Sequence, residues 1–318
     1  MSQASARDGV PAMTGATALP PLVADGECEL LRQRTADVAA GRAVLLHVGG
    51  PVEADGQIGR EAVREQLRTL TQMQVILTYV TGLPVVKVGL IAGAYHHQAA
   101  ALNLVRALTA GLGPDLGEIP WGSAGAQVDA RHRDQMSRIA RGLAFLKGYG
   151  LTRLSRGGEV FAGHDCPGCA GCATAGHLLW LDAGLTDPDR LDALVRAPNA
   201  LAIRLGVEVE PDRILRLIDW LDPCREPGRL TFVAGMASDL LPPLVEKVRA
   251  TGAEVCWVGD PGPFEPGARL RAFVEALRSV GAHPGGAHVT VSGPRGAALD
   301  LVLDLADALK VGARTPPS

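Results

Sequence analysis

From residue 20 onward the chain alternates, many times over, between a short apolar run of strand type and a longer segment with helical spacing. The strand-type runs are Ala43 to Val48, Val85 to Ile91, a third and fourth flanking a cysteine-bearing loop between Glu159 and Asp182, Leu201 to Val207, Arg229 to Ala234, Glu254 to Gly259 and Ala287 to Ser292. Helical patterns cover Asp25 to Ala40, Gln57 to Thr81, Gln98 to Ala110, Asp129 to Tyr149, Asp212 to Leu221, Leu240 to Ala250, Ala268 to Val280 and Ala298 to Lys310; a turn region surrounds Pro114 to Gly125. In the second helix Val63, Leu67, Leu70, Met73, Leu77 and Val80 recur at three and four residues, which puts them on one buried face. Near-continuous apolar strands separated by helices are the pattern of a parallel sheet covered on its faces. Eight of them predict an α/β protein, a closed (β/α)8 barrel with an added N-terminal helix. An open doubly wound sheet is the rival, but the turn after the first strand reads Gly49-Gly50-Pro51, with none of the spaced glycines of a dinucleotide loop.

With 318 residues and 47% hydrophobic side chains, the chain can bury such a core without staples. The expected organisation is an arm over 1–19, one barrel domain over 20–312 and a tail over 313–318. Lys plus Arg number 31 against 34 Asp plus Glu, so charge gives no reason to expect nucleic acid or an anionic membrane as partner. Aromatics at 4% argue against a base-stacking platform. Met1 to Leu19 lack the basic start and apolar stretch of a signal peptide, and no apolar run approaches a membrane span. The expectation is a cytoplasmic protein whose six cysteines are thiols or metal ligands.

Half of those cysteines sit together, in His164-Asp165-Cys166-Pro-Gly-Cys169-Ala-Gly-Cys172. Glycines and a proline let this loop turn tightly enough for three thiolates to meet one ion. Zinc is the expected occupant, with His164, Asp165 or His177 as fourth ligand; an iron–sulfur cluster is the alternative, although the C-x3-C-P continuation of ferredoxin loops is missing. Free thiols or a redox pair is the third reading. Cys28, Cys224 and Cys256 read as small buried or surface residues.

Several ordered segments resemble the class II 3-deoxy-D-arabino-heptulosonate 7-phosphate (DAHP) synthases. They are Pro-Pro-Leu-Val at 20–23, Leu-Thr-Tyr-Val at 77–80, Pro-Val-Val-Lys-Val-Gly at 84–89, Leu-Asn-Leu-Val-Arg-Ala at 102–107, Gly-His-Leu-Leu-Trp at 176–180, Glu-Pro-Gly-Arg-Leu-Thr at 226–231 and His-Pro-Gly-Gly-Ala-His-Val at 283–289. The resemblance implies a (β/α)8 barrel that condenses phosphoenolpyruvate with erythrose 4-phosphate on a divalent metal, commonly as a dimer or higher homo-oligomer.

Carried over residue by residue, the resemblance fails at the rim. The family's metal-binding cysteine falls at Pro51, its Asp-Pro-Met-His-Gly-Asn becomes Asp260-Pro261-Gly262-Pro263-Phe264, its glutamate ligand is Thr290, and the loop with its aspartate is deleted between Gly293 and Ala298. Gly89-Leu90-Ile91-Ala92-Gly93-Ala94 and His97-Gln98-Ala99-Ala100 replace two phosphate-binding stretches. Asp182 to Thr186 replaces an arginine-bearing one, and Gly235 stands for another arginine. Arg204 takes the place of a lysine, and Lys87 is kept. Since each lost charged contact costs about 2–5 kcal/mol, the manganese or cobalt site and the standard substrate pair are expected to be absent.

What remains as candidate catalytic residues is Lys87, His96, His97, Arg204 and Asp260, near strand ends where barrel enzymes place their chemistry. A Lys87–Glu53 ion pair is the structural alternative, and His47, His283 and His288 are weaker candidates. The expected activity is carbon–carbon bond-forming or lyase-type chemistry on another small-molecule carbon skeleton, in aromatic or shikimate-related specialised metabolism. A non-catalytic regulatory relative is the alternative, and residual DAHP synthesis the third.

Overall fold

The computed structural model describes residues 20–49, 53–54, 57–58, 60–90, 95–109, 116, 119–149, 151, 160–165, 175–206, 210–290 and 295–310. In chain order its elements are α1 (Asp25–Ala39), β1 (Val44–Gly49), β2 (Glu53–Ala54), β3 (Gln57–Ile58), α2 (Arg60–Thr81), β4 (Val85–Leu90), α3 (Tyr95–Thr109), α4 (Trp121–Gln127) and α5 (Arg133–Gly148). They continue with β5 (Val160–Asp165), β6 (Leu178–Asp182), α6 (Pro188–Arg196), β7 (Ala200–Leu205), α7 (Pro211–Leu221), β8 (Leu230–Ala234), α8 (Leu241–Ala250), β9 (Cys256–Gly259), α9 (Pro266–Ser279), β10 (Gly286–Thr290) and α10 (Arg295–Lys310).

Eight strands close on themselves in the order β1-β10-β9-β8-β7-β6-β5-β4, every pair parallel. This is the expected barrel. Its strands look continuously apolar because both faces are covered. Val44, Leu46, Leu179, Leu201, Ile203, Phe232 and Val289 join the layer under the helices, while Leu45, Val86, Val88, Phe161, Leu178, Trp180, Ala202, Val233 and Val258 fill the interior. Strand period two therefore decides which residues can reach a ligand inside the barrel and which cannot.

The added helix α1 packs on β1, β7 and β9, and its Leu31 and Val38 belong to the interior cluster, so it closes the N-terminal end. Thr35 Oγ1 on α1 donates to the Gly228 carbonyl at 2.7 Å. Gly286, which opens β10, has φ of 147°, and a Cβ there would lie 1.9 Å from the Leu45 carbonyl oxygen. Only a residue without a side chain lets β10 come this close to β1.

Besides α6, which has no counterpart among the helical patterns, and α10, which begins at Arg295 and not at Ala298, three differences from the sequence reading stand out. Gln57 and Ile58 do not begin α2 but pair antiparallel with Glu53 and Ala54, and the helix starts at Arg60. Part of the stretch read as turn around Pro114 to Gly125 is α4, held by burial of Trp121 and Ala124 and by the Trp121 indole N–H, which donates to the Leu116 carbonyl. The third concerns α3, which begins at Tyr95 and not at Gln98, so His96 and His97 lie in a helical first turn and not in a loop.

Candidate active site at the barrel mouth

The C-terminal ends of β1, β6, β7 and β10 bring together His47, Trp180, Arg204 and His288. His47 and His288 are register partners on neighbouring strands, so their side chains emerge on the same face. Each follows an interior residue by two, Leu45 before His47 and Gly286 before His288, and both rings therefore point inward. Their Nδ1 atoms meet at 2.5 Å. The Trp180 indole lies 4.3 Å from the His47 ring and 5.1 Å from the His288 ring, centroid to centroid. The Arg204 guanidinium sits 5.2 Å from the indole centroid, in cation–π range, while its side chain is exposed.

Burial dominates the electrostatics. It holds the His47 ring well below the usual histidine range, and the neighbouring His288 and Arg204 push the same way. His288 is lowered chiefly by burial; the Asp260 carboxylate pulls the other way, and Arg204, the weakest of the three influences, lowers it further. Both shifts favour the neutral ring, and a neutral pair sharing Nδ1···Nδ1 contains one N–H donor and one lone-pair acceptor. Beyond that contact, His288 Nε2 lies 3.4 Å from the Thr290 hydroxyl. His47 Nε2 and Trp180 Nε1 are buried and have no hydrogen-bond partner among the described residues. Both border Gly163 of β5, where a Cβ would lie 3.1 Å from His47 Nε2 and 3.4 Å from Trp180 Nε1.

Of the residues expected to do chemistry, the structure unites Arg204 and Asp260 at this mouth. Asp260 follows β9, its N–H donating to the Ala234 carbonyl and its Oδ1 accepting from Gly262 N–H at 3.1 Å. Lys87 is placed elsewhere. Its register partners Leu46 and Val160 belong to the helix-facing layer, so its buried side chain lies on the outside of the barrel wall, away from Arg204. His96 and His97 are exposed on α3, His96 edge-on to Tyr95, whose hydroxyl donates to the Pro20 carbonyl. Cys166, Cys169 and Cys172 fall outside the described residues, and of His164 the structure gives only its place near the end of β5, opposite Leu179. His177 is otherwise engaged: its buried Nδ1 accepts from Ala162 N–H, and its Nε2 is 3.7 Å from Glu27. Cys28 and Cys256 are buried, with thiols pushed up to about 11 and about 12, and Cys224 is exposed.

The central pair, His47 and His288, carried little weight in the sequence because a lone strand histidine reads as core. The signal was its inward parity near a strand's C-terminal end. Arg269 gave no signal at all. From α9 it donates to the Gly235 carbonyl at 3.0 Å, returning a guanidinium to the neighbourhood of a residue that stands for an arginine. A second concavity, of about 380 Å³, lies on the outer wall between the α5 entrance, α9 and α10, but there Asp304 is already bridged by Arg131 and Arg271.

Comparison with known proteins agrees with this architecture. Residues 7–96 and 169–263 match the model of the class-II DAHP synthetase family. The chain is 31% identical to the phospho-2-dehydro-3-deoxyheptonate aldolase of Streptomyces coelicolor, over 86% of this chain and 80% of that protein. It is 29% identical to the phospho-2-dehydro-3-deoxyheptonate aldolase AroG of Mycolicibacterium smegmatis, over 86% and 78%. A family match across both halves of the barrel, joined to an eight-stranded parallel closure with its polar residues at the C-terminal mouth, means that the chain belongs to the class-II DAHP synthetase family.

Proposed function

We propose that this member of the family is an enzyme that has moved away from condensing phosphoenolpyruvate with erythrose 4-phosphate and acts on another small anionic carbon skeleton, in aromatic or shikimate-related specialised metabolism. One observation carries the reading most directly. At the end of β10, where the family places a carboxylate ligand, the side chain beside His288 is the hydroxyl of Thr290, a poor ligand for a hard divalent cation. Loss of the family's manganese or cobalt site is part of this proposal, supported by the sequence, which has Pro51 and Thr290 at two of the family's ligand positions and Gly262-Pro263 in place of the stretch that carries its histidine. The chemistry falls instead to Arg204, which no described carboxylate neutralises, together with Asp260 and the histidine pair.

The cysteine loop is a separate part of the proposal. Its C-x2-C-x2-C spacing supports a zinc site on Cys166, Cys169, Cys172 and His164, with an iron–sulfur cluster as the competing occupant. Zinc there would clip the connection between β5 and β6. Metal analysis and an absorption spectrum of anaerobically purified protein separate the two, since zinc is colourless and a cluster is not. Homo-oligomerisation is proposed from the family habit and is read by light scattering.

The decisive assay supplies phosphoenolpyruvate, erythrose 4-phosphate and manganese, and follows phosphate release. Release at background level is expected; turnover like that of the relatives overturns the reading. Titration with inorganic phosphate, followed by calorimetry, should show saturable binding that Arg204→Met weakens tenfold or more. Binding that ignores Arg204 removes the mouth as the anion site, and no binding at all favours a non-catalytic relative.

A further inference from the structure

Tautomer accounting at the mouth starts from the one group with no choice. The Trp180 indole nitrogen is always a donor, and it is buried without a described partner. His47 Nε2 borders the same point above Gly163, is equally buried, and is also orphaned. Two N–H groups bordering one buried point would leave both donors unsatisfied, whereas a bare Nε2 gives the indole an acceptor-type neighbour. A neutral His47 with a bare Nε2 must carry its proton on Nδ1. At 2.5 Å that Nδ1–H has one destination, His288 Nδ1, which therefore accepts. A neutral His288 that accepts at Nδ1 carries its proton on Nε2. This is the edge that faces Thr290 and is half-buried, not sealed.

We propose that His288 is a catalytic residue that presents a neutral Nε2–H to an oxygen of the substrate, as a hydrogen-bond donor to a carboxylate or enolate-type oxyanion, while His47 and Trp180 are positioning residues that fix its tautomer. The inference rests on the anionic-substrate reading above and assigns the second contact, beside Arg204. A neutral donor stabilises charge that develops on oxygen without surrendering its proton in the ground state, and its value grows in a site that excludes water. Thr290 Oγ1, at 3.4 Å, accepts from the same N–H until an oxyanion takes its place.

The test is the tautomer of each ring, read from nitrogen-15 shifts in long-range proton–nitrogen spectra of histidine-labelled full-length protein at pH 7.5. The expected result is His47 protonated on Nδ1, the minority form of free histidine, and His288 on Nε2. His47 on Nε2 with His288 on Nδ1 overturns the inference, as does a doubly protonated ring in either residue. Trp180→Phe should release His47 toward the Nε2–H form; an unchanged His47 tautomer in a variant with native circular dichroism removes Trp180 from the relay. With inorganic phosphate added, the His288 Nε2–H proton should move downfield saturably, and saturable binding that leaves it unmoved overturns the substrate contact. Because the tautomers are read without ligand, failure of phosphate to bind strikes the anionic-substrate reading and leaves the relay to be decided by the nitrogen shifts alone.

Discussion

The two ends of the barrel are built on opposite principles. At the N-terminal end polar groups are spent on holding the chain together. Buried Arg229 donates to the carbonyls of Leu194, Val195, Ala197 and Asn199, tying the end of α6 to the start of β8. Asp222 accepts from Glu226 N–H, Arg32 pairs with Glu226, and Thr35 reaches Gly228, so α1 is latched across the bottom. At the mouth the accounting is left open: His47 Nε2 and Trp180 Nε1 have no described partner, and Arg204 stacks on Trp180 without a described carboxylate. Residues that make a barrel stable sit at its N-terminal face and residues that do its chemistry at the other. The two segments that most mark the family, 226–231 and 283–289, enter β8 and β10 from the N-terminal side.

The sharpest way to break this comparison is to damage the closed end. Gly286→Ala should cost the most, about 3 kcal/mol or more, because it puts a Cβ on the Leu45 carbonyl at a backbone conformation that side chains rarely adopt. Urea unfolding of the full chain measures it; a loss below about 1 kcal/mol would mean that β1 and β10 adjust freely. Arg229→Met should follow at about 3 kcal/mol, since it strips donors from several buried carbonyls at once while keeping the aliphatic stem. A near-neutral result would show those carbonyls to be solvated.

How much of this was legible follows the same division. Strand and helix alternation identified the closed barrel because hydrophobic periodicity is written locally, and the added helix was visible as Leu30, Leu31, Val38 and Ala39 on one side. Lys87 shows the limit. Its position near a strand end looked catalytic, but a one-residue step in parity turns it to the outer wall, and parity is settled only when Val86 and Val88 are seen inside. The His47–His288 contact is a register fact between the first and last barrel strands, 241 positions apart, which no local pattern encodes. His96 and His97 moved from loop to helix because α3 begins three residues before Gln98, where the sequence has no capping residue to announce it.

A pH titration sharpens the comparison from the other side. His47, His177, His283 and His288 are all lowered by burial from an ordinary value near 6.5. The unfolded chain then binds protons that the folded chain refuses. Their contribution to stability is complete above about pH 6.5 and is lost as pH falls below it toward their folded values. Unfolding free energy should decline from pH 7 to pH 5, before most carboxylates titrate. His47→Leu should remove up to about one proton from that uptake, flattening the slope by at most ~1.4 kcal/mol per pH unit. An unchanged slope would mean that protonation of the pair is accommodated in the fold.

The smallest effect is the most telling. At pH 7.5 His47→Leu should change stability by no more than about 1 kcal/mol, in either direction, although the residue is as deeply buried as Arg229. The ring makes one described hydrogen bond and leaves a nitrogen orphaned against Gly163, and a leucine fills similar space in an interior already lined by Leu45, Val88 and Leu178. A buried polar residue that can be removed at so little cost is one the fold does not need. A loss approaching that of Arg229→Met, measured in the same urea series, would instead make the histidine pair a structural tie, and the mouth would then be built like the bottom.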